Sequence, residues 1–122
     1  MKYTVCAELV SRCFAARTAM HIAHLKATTY AEHLILEDFY DRIAKVADKF
    51  IECRMGVDGR IADYPDITPD LKTPPLKYLP ELHDWVMKNR TDCADGSTEL
   101  ANLVDEILAA IDRTYYKLKF LK

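Results

Sequence analysis

Four of the five prolines (Pro65, Pro69, Pro74 and Pro75) are crowded between residues 57 and 79, and two of the three glycines, Gly56 and Gly59, stand at the start of that stretch. A proline inside a helix removes a backbone donor and clashes with the preceding turn, at about 3 kcal/mol each. This segment therefore cannot be one long helix, while helix breakers are scarce on either side of it. The pattern divides the chain into two helix-permissive halves joined by a Pro-rich connection. Such a connection can traverse the length of a helical bundle.

Residues 4 to 26 read as a first helix, because Val5, Leu9, Cys13, Ala16, Met20 and Ala23 recur at steps of three and four. Thr29 followed by Glu32 fits a capping box, in which each side chain satisfies the other residue's exposed N–H. It predicts a second helix over about 30 to 55, ended by Gly56 and Gly59. The apolar residues of that helix (Leu36, Phe39, Ile43, Val46, Ala47, Phe50 and Ile51) cover more than a narrow stripe. So wide a surface suits burial both by its own bundle and by a second subunit. A short helical turn is expected near Ile67 to Leu71. Pro80, at a first-turn position, opens a third helix of about three turns, PELHDWVMKNR. Asp92 to Gly96 reads as a polar loop, and Ser97 caps a fourth helix carrying Leu100, Leu103, Val104, Ile107, Leu108 and Ile111. No strand-like alternation or internal repeat is present. The expectation is one all-α domain over residues 1–122, a four-helix bundle with the Pro-rich crossover between helices 2 and 3.

A net charge of −2 argues against a nucleic-acid surface, and Lys117, Lys119 and Lys122 are too few to supply one. No apolar run approaches a membrane span, and Glu8, Arg12 and Arg17 interrupt any signal-peptide core. The cysteines Cys6, Cys13, Cys53 and Cys93 include no CxxC pair. They read as reduced thiols of a cytoplasmic protein rather than as a disulfide framework.

The chemistry is concentrated between His21 and Gly56, which holds three of the four histidines. His33 and Glu37 are four apart, as are Asp48 and Glu52, so each pair projects from one helical face. His21 and His24 form an i,i+3 pair on the segment before them. Imidazole and carboxylate together suit iron, zinc or manganese, and bundles commonly place such ligands on facing helices. Any one such pair is ordinary on a solvated helix, and His83 reads as a surface or partly packed residue. His24 is open between a ligand, a group supporting a ligand, and a histidine favoured by the helix dipole. Distance sets the constraint. His33 and Asp48 are fifteen residues apart, roughly 22 Å along one helix. No ion bridges that gap within one helix, but two copies packed antiparallel across a two-fold axis would bring each His end to the partner's Asp/Glu end. The pattern is either an accident or an inter-subunit metal site.

The spacing of His21, His33, Glu37, Asp48 and Glu52 is His-x11-His-x3-acid-x10-Asp-x3-Glu. It resembles the ferroxidase centre of the Dps mini-ferritins, the DNA-binding proteins from starved cells. The run Phe39-Tyr40-Asp41 resembles that family's second helix, and LANLVDEILAAIDRTYYKLKFL its last. The run HLK-x3-YA-x-H also resembles short ferritin-like proteins encoded by phages. The resemblance implies a ferritin-like bundle that oxidises Fe(II) with O2 or H2O2, sequesters it, and protects against iron-driven oxidative damage. It implies His21, His33 and Glu37 as ligands from one chain, with Asp48 and Glu52 from its partner. Iron, as a di-iron pair, would be the metal, with zinc or manganese as alternatives. The partner would be a second copy in at least a two-fold dimer, or a larger shell. The sequence departs from the family in having Ile22 where a Trp is usual and no Lys-rich N-terminal arm, so ferroxidase chemistry transfers better than DNA binding. A shorter turn between the first two helices would put His24 in the place of His21. The alternative is a catalytically inactive ferritin-like bundle serving as a structural or interaction module.

Overall fold

The computed structural model describes residues 3–121. Among the described residues the fold is four helices: α1 (Thr4–Lys26), α2 (Tyr30–Asp58), α3 (Pro75–Ala94) and α4 (Thr98–Phe120). No strand occurs among the described residues. α1 packs on α2, α2 on α4, and α4 on α3, and a lighter α3–α1 contact closes the ring. Phe39, Phe50, Leu9, Met20, Leu36 and Ile43 are fully buried in the core, facing Leu79, Val86, Leu100, Val104 and Ile107 from the second helical pair.

Local signals explain the ends. The Glu32 N–H donates to Thr29 Oγ1 at 3.2 Å, and the Leu100 N–H to Ser97 Oγ at 3.2 Å, which satisfies one exposed donor at each N-terminus. α2 runs one turn past the expected end. Gly56 stays helical, and the break comes at Gly59, whose φ of 95° is easy only for a residue without a Cβ. α3 begins at Pro75 rather than Pro80, which lies inside the helix. A proline at the first helical position lacks a donor that would be orphaned anyway, so Pro75 starts the helix without loss. Pro80 does lose a bond, but its neighbours Leu79 and Leu82 are buried in the core and hold the turn in place. The turn expected at Ile67 to Leu71 does not form, since residues 59–74 carry no helix. Instead Asp70 accepts from the Lys72 and Thr73 N–H groups at 2.9 and 3.1 Å, folding the chain into the start of α3.

Two contacts fix the direction of α3. Lys26 Nζ donates to the Leu71 carbonyl at 3.0 Å, so α3 begins beside the end of α1. Cys6 Sγ lies 3.6 Å from the Cys93 carbonyl oxygen, so α3 ends beside the start of α1. α3 is therefore antiparallel to α1. No helix among the described residues is long and apolar enough to cross a membrane.

Candidate metal centre

Only Ala27, Thr28 and Thr29 separate α1 from α2. So tight a turn presses the last turn of α1 against the first turn of α2, and His24 meets His33. Their rings stack with centroids 3.6 Å apart and planes 19° from parallel. His24 Nδ1 is 2.6 Å from the His33 carbonyl oxygen, and His33 Nδ1 is 2.9 Å from the His24 carbonyl oxygen. A carbonyl oxygen only accepts, so each Nδ1 carries the proton and donates it. In the neutral rings each Nε2 then keeps its lone pair, the tautomer that a ligating Nε2 needs.

Glu37, one turn beyond His33, places Oε1 3.9 Å from His24 Nε2. One ligand atom from each of His24, His33 and Glu37 lies within 4.8 Å of the others. Nitrogen and oxygen ligands sit about 2.0–2.2 Å from such an ion, so the three have only a small distance to close. The stack itself has to open. Imidazole lone pairs lie in the ring plane, and two nearly parallel rings send them along nearly parallel lines rather than to one point.

His21 and Tyr40 form the rim of this group. Their rings stack at 4.0 Å and 12°, and each meets His24 edge-on, at 5.8 Å from His21 and 5.3 Å from Tyr40. Burial, then the charges of Glu37 and Asp41, push the Tyr40 hydroxyl above its usual pKa. Sequence reasoning did not single out Tyr40; its place three residues after Glu37, on the same face, was the available signal. His83 is half-buried and pairs with Asp112 at 3.2 Å, away from this group.

Asp48 and Glu52 lie farther along α2, both exposed. A hydrogen bond that protonated Glu52 would donate to Asp48 raises Glu52 above the usual carboxylate range, with the charge of Asp48 adding to it. Eleven residues separate Glu37 from Asp48, or about 16 Å of helix, so the acid pair does not reach the histidines of its own chain. At 100° per residue, His33, Glu37, Ala44, Asp48 and Glu52 fall within an arc of roughly 100° on α2. This arc is distinct from the one carrying Leu36, Phe39, Ile43 and Phe50 into the core.

Sequence reasoning also passed over Arg54. It is 2% exposed and donates to Asp58 through two nitrogens, to the Cys93 carbonyl at 3.0 Å and to the Ala94 carbonyl at 3.3 Å. It thereby caps the end of α3, whose last carbonyls have no partner within the helix.

The family DUF5856, described as a family of unknown function, matches residues 24–118. The matched stretch takes in His24, His33, Glu37, Asp48 and Glu52, and leaves out His21 and Cys6. No curated protein and no solved structure matches the chain.

Proposed function

The chain belongs to DUF5856, a family of unknown function, and we propose that it is a ferritin-like protein that binds and oxidises Fe(II) between two subunits. The observation that carries this reading is the meeting of His24, His33 and Glu37, one ligand atom from each lying within 4.8 Å of the others, with the reciprocal Nδ1 contacts leaving each Nε2 free to ligate. In this reading His24 takes the place of His21 among the ligands, and His21 supports it from the rim through Tyr40. Asp48 and Glu52 of a second copy complete the site. A two-fold axis crossing the α2 arc is what would bring them there. Phe14 and Leu25 on the His21 face of α1, with Tyr30 one turn before His33, are exposed and would be covered by the same dimer. Residues 59–74 act as the long crossover of a ferritin-like bundle, since α3 starts beside the end of α1.

Fe(II) is the substrate. Dioxygen or hydrogen peroxide takes its electrons, and the carboxylates, as hard ligands, favour the ferric product. The chain's own residues bind and orient the ion and exclude competing chemistry. Confining that oxidation within a protein protects against iron-driven damage. Zinc or manganese would compete for the same ligands.

A second reading, a ferritin-like bundle acting as an inactive structural module, is favoured by one observation. The His24–His33 stack satisfies both Nδ1 atoms without a metal and clamps α1 to α2 by itself. Aerobic Fe(II) oxidation followed by ultraviolet absorbance separates the two. The iron reading expects wild type to exceed the protein-free rate, and His33→Ala and Glu52→Ala to lose that acceleration. Equal rates for all three would leave the structural reading.

A further inference from the structure

At the opposite end of α1 from the histidines, two thiols from distant parts of the chain meet. Cys6, in the first turns of α1, and Cys93, in the last turn of α3, are 0% and 1% exposed. Cys6 Sγ is 3.6 Å from the Cys93 carbonyl oxygen, and Cys93 Sγ is 3.9 Å from the Val5 carbonyl oxygen. Each sulfur thus rests against the other cysteine's stretch of backbone. Arg54 holds this arrangement in place by donating to the Cys93 and Ala94 carbonyls. A solvent-open surface crevice of about 670 Å³ is lined by Val5 and Asp92, the residues just before Cys6 and Cys93, and by Thr4, Glu8, Asn89 and Asp95, while the two sulfurs stay buried behind it. It admits a molecule the size of hydrogen peroxide.

We propose that Cys6 and Cys93 form a peroxide-sensitive dithiol that closes to a disulfide, tying the first turns of α1 to the last turn of α3. The proposal does not rest on the iron reading. The two thiols are unequal. The adjacent Cys93 side chain holds Cys6 below its usual value against the opposing effect of burial, and the nearby Arg54 charge adds to the lowering. The adjacent Cys6 side chain and burial push Cys93 up. Cys6 is therefore the attacking sulfur and Cys93 the resolving one. The Cys6 thiolate attacks one peroxide oxygen, the O–O bond breaks, and the departing hydroxide takes a proton to become water. Cys93 then loses its proton and attacks the Cys6 sulfenic sulfur. The S–S bond forms, the S–O bond breaks, and a second water leaves. Two thiols are oxidised by two electrons, and one peroxide is reduced to two waters. Cys13, buried and pushed up to about 12 by burial, and the half-buried Cys53 are not part of the couple.

The test treats the full chain with hydrogen peroxide in the presence of a chelator. The protein is then denatured, its thiols are blocked with N-ethylmaleimide, and its peptides are mapped by mass. The expected result is a peptide pair cross-linked through Cys6 and Cys93, with Cys13 and Cys53 still alkylated and the link reversed by dithiothreitol. Closing so long a loop should also raise the thermal midpoint by roughly 10 °C. Cys53→Ala should give the same cross-link, and Cys93→Ser should stop at a Cys6 sulfenic acid that dimedone traps. If Cys93→Ser does not fold, the wild-type map alone decides. Four alkylated cysteines after peroxide, or oxidation confined to Cys53, would overturn the proposal.

Discussion

Replacing Arg54 with methionine keeps much of the side chain's volume and removes only its donors and charge. Five contacts go with them: two nitrogens on Asp58, the Cys93 and Ala94 carbonyls, and the face of Tyr3, whose ring centroid lies 4.4 Å from Arg54 Cζ. Breaking a buried ion pair by deleting one partner typically costs 3–5 kcal/mol, because the other charge is left without compensation. The Asp58 side chain is 27% exposed, so water recovers part of that. The two carbonyls at the end of α3 each lose one donor as well, keeping the Cys6 thiol on Cys93 and the Ser97 N–H on Ala94. The expected loss is about 3 kcal/mol at the lower end of that range. At about 2.1 cal/mol/K per residue over 122 residues, the unfolding entropy is about 0.26 kcal/mol/K, so the midpoint should fall by about 12 °C. Differential scanning calorimetry on the reduced protein reads this directly. Adding Asp58→Asn to Arg54→Met should recover part of the loss, since the carboxylate closest to the missing guanidinium is then gone and only the more distant Asp95, 3.9 Å from Arg54 Nη2, keeps its charge. A fall of less than about 3 °C would mean that the guanidinium exchanges freely with water and does not hold α3 to α2.

Three further outcomes follow from particular residues. Glu52 should titrate above its ordinary value of 4.5 in a carbon-detected NMR titration, and Asp48→Asn should lower its midpoint. The sign for stability follows. A carboxyl whose folded pKa is raised favours the fold while protonated, so this contribution is full below the unfolded pKa and is lost as pH rises through the folded one. Asp70 runs the other way, held low by the Thr73 hydroxyl and then by the Lys72 and Thr73 N–H groups. Its contribution is present above 3.8 and lost as pH falls through the folded pKa, and Thr73→Val should raise its midpoint. Gly59→Ala meets no atom within 4 Å but forces a Cβ onto a φ of 95°, and should cost about 1 kcal/mol in urea unfolding through backbone strain alone.

Fold and site were legible in the sequence to different depths, for physical reasons. The limits of α1, the Thr29 cap of α2 and the Ser97 cap of α4 rest on contacts within a few residues, which a sequence displays. α3 was misplaced because two prolines competed for its start, and only the burial of Leu79 and Leu82 shows that Pro80 is tolerated inside it. The ligand-type residues could be found by spacing. Whether His21 or His24 joins His33 depended on the length of one turn, and Ala27 to Thr29 bring His24 there. The tautomer lock could not be read at all, because it depends on where two backbone carbonyls point. Arg54 was visible as a charge on the apolar arc of α2, but its partners come from another helix.

The central claim is that one iron site draws on two chains, and subunit complementation tests it most directly. His33→Ala and Glu52→Ala are purified separately, each without ferroxidase activity, then unfolded together and refolded as a mixture. In a two-fold dimer of one of each, one site loses both residues and the other keeps both. With half the dimers mixed, the account predicts that about a quarter of wild-type Fe(II) oxidation returns. A mixture as inactive as its components, in dimers shown to exchange, would contradict a site shared between subunits.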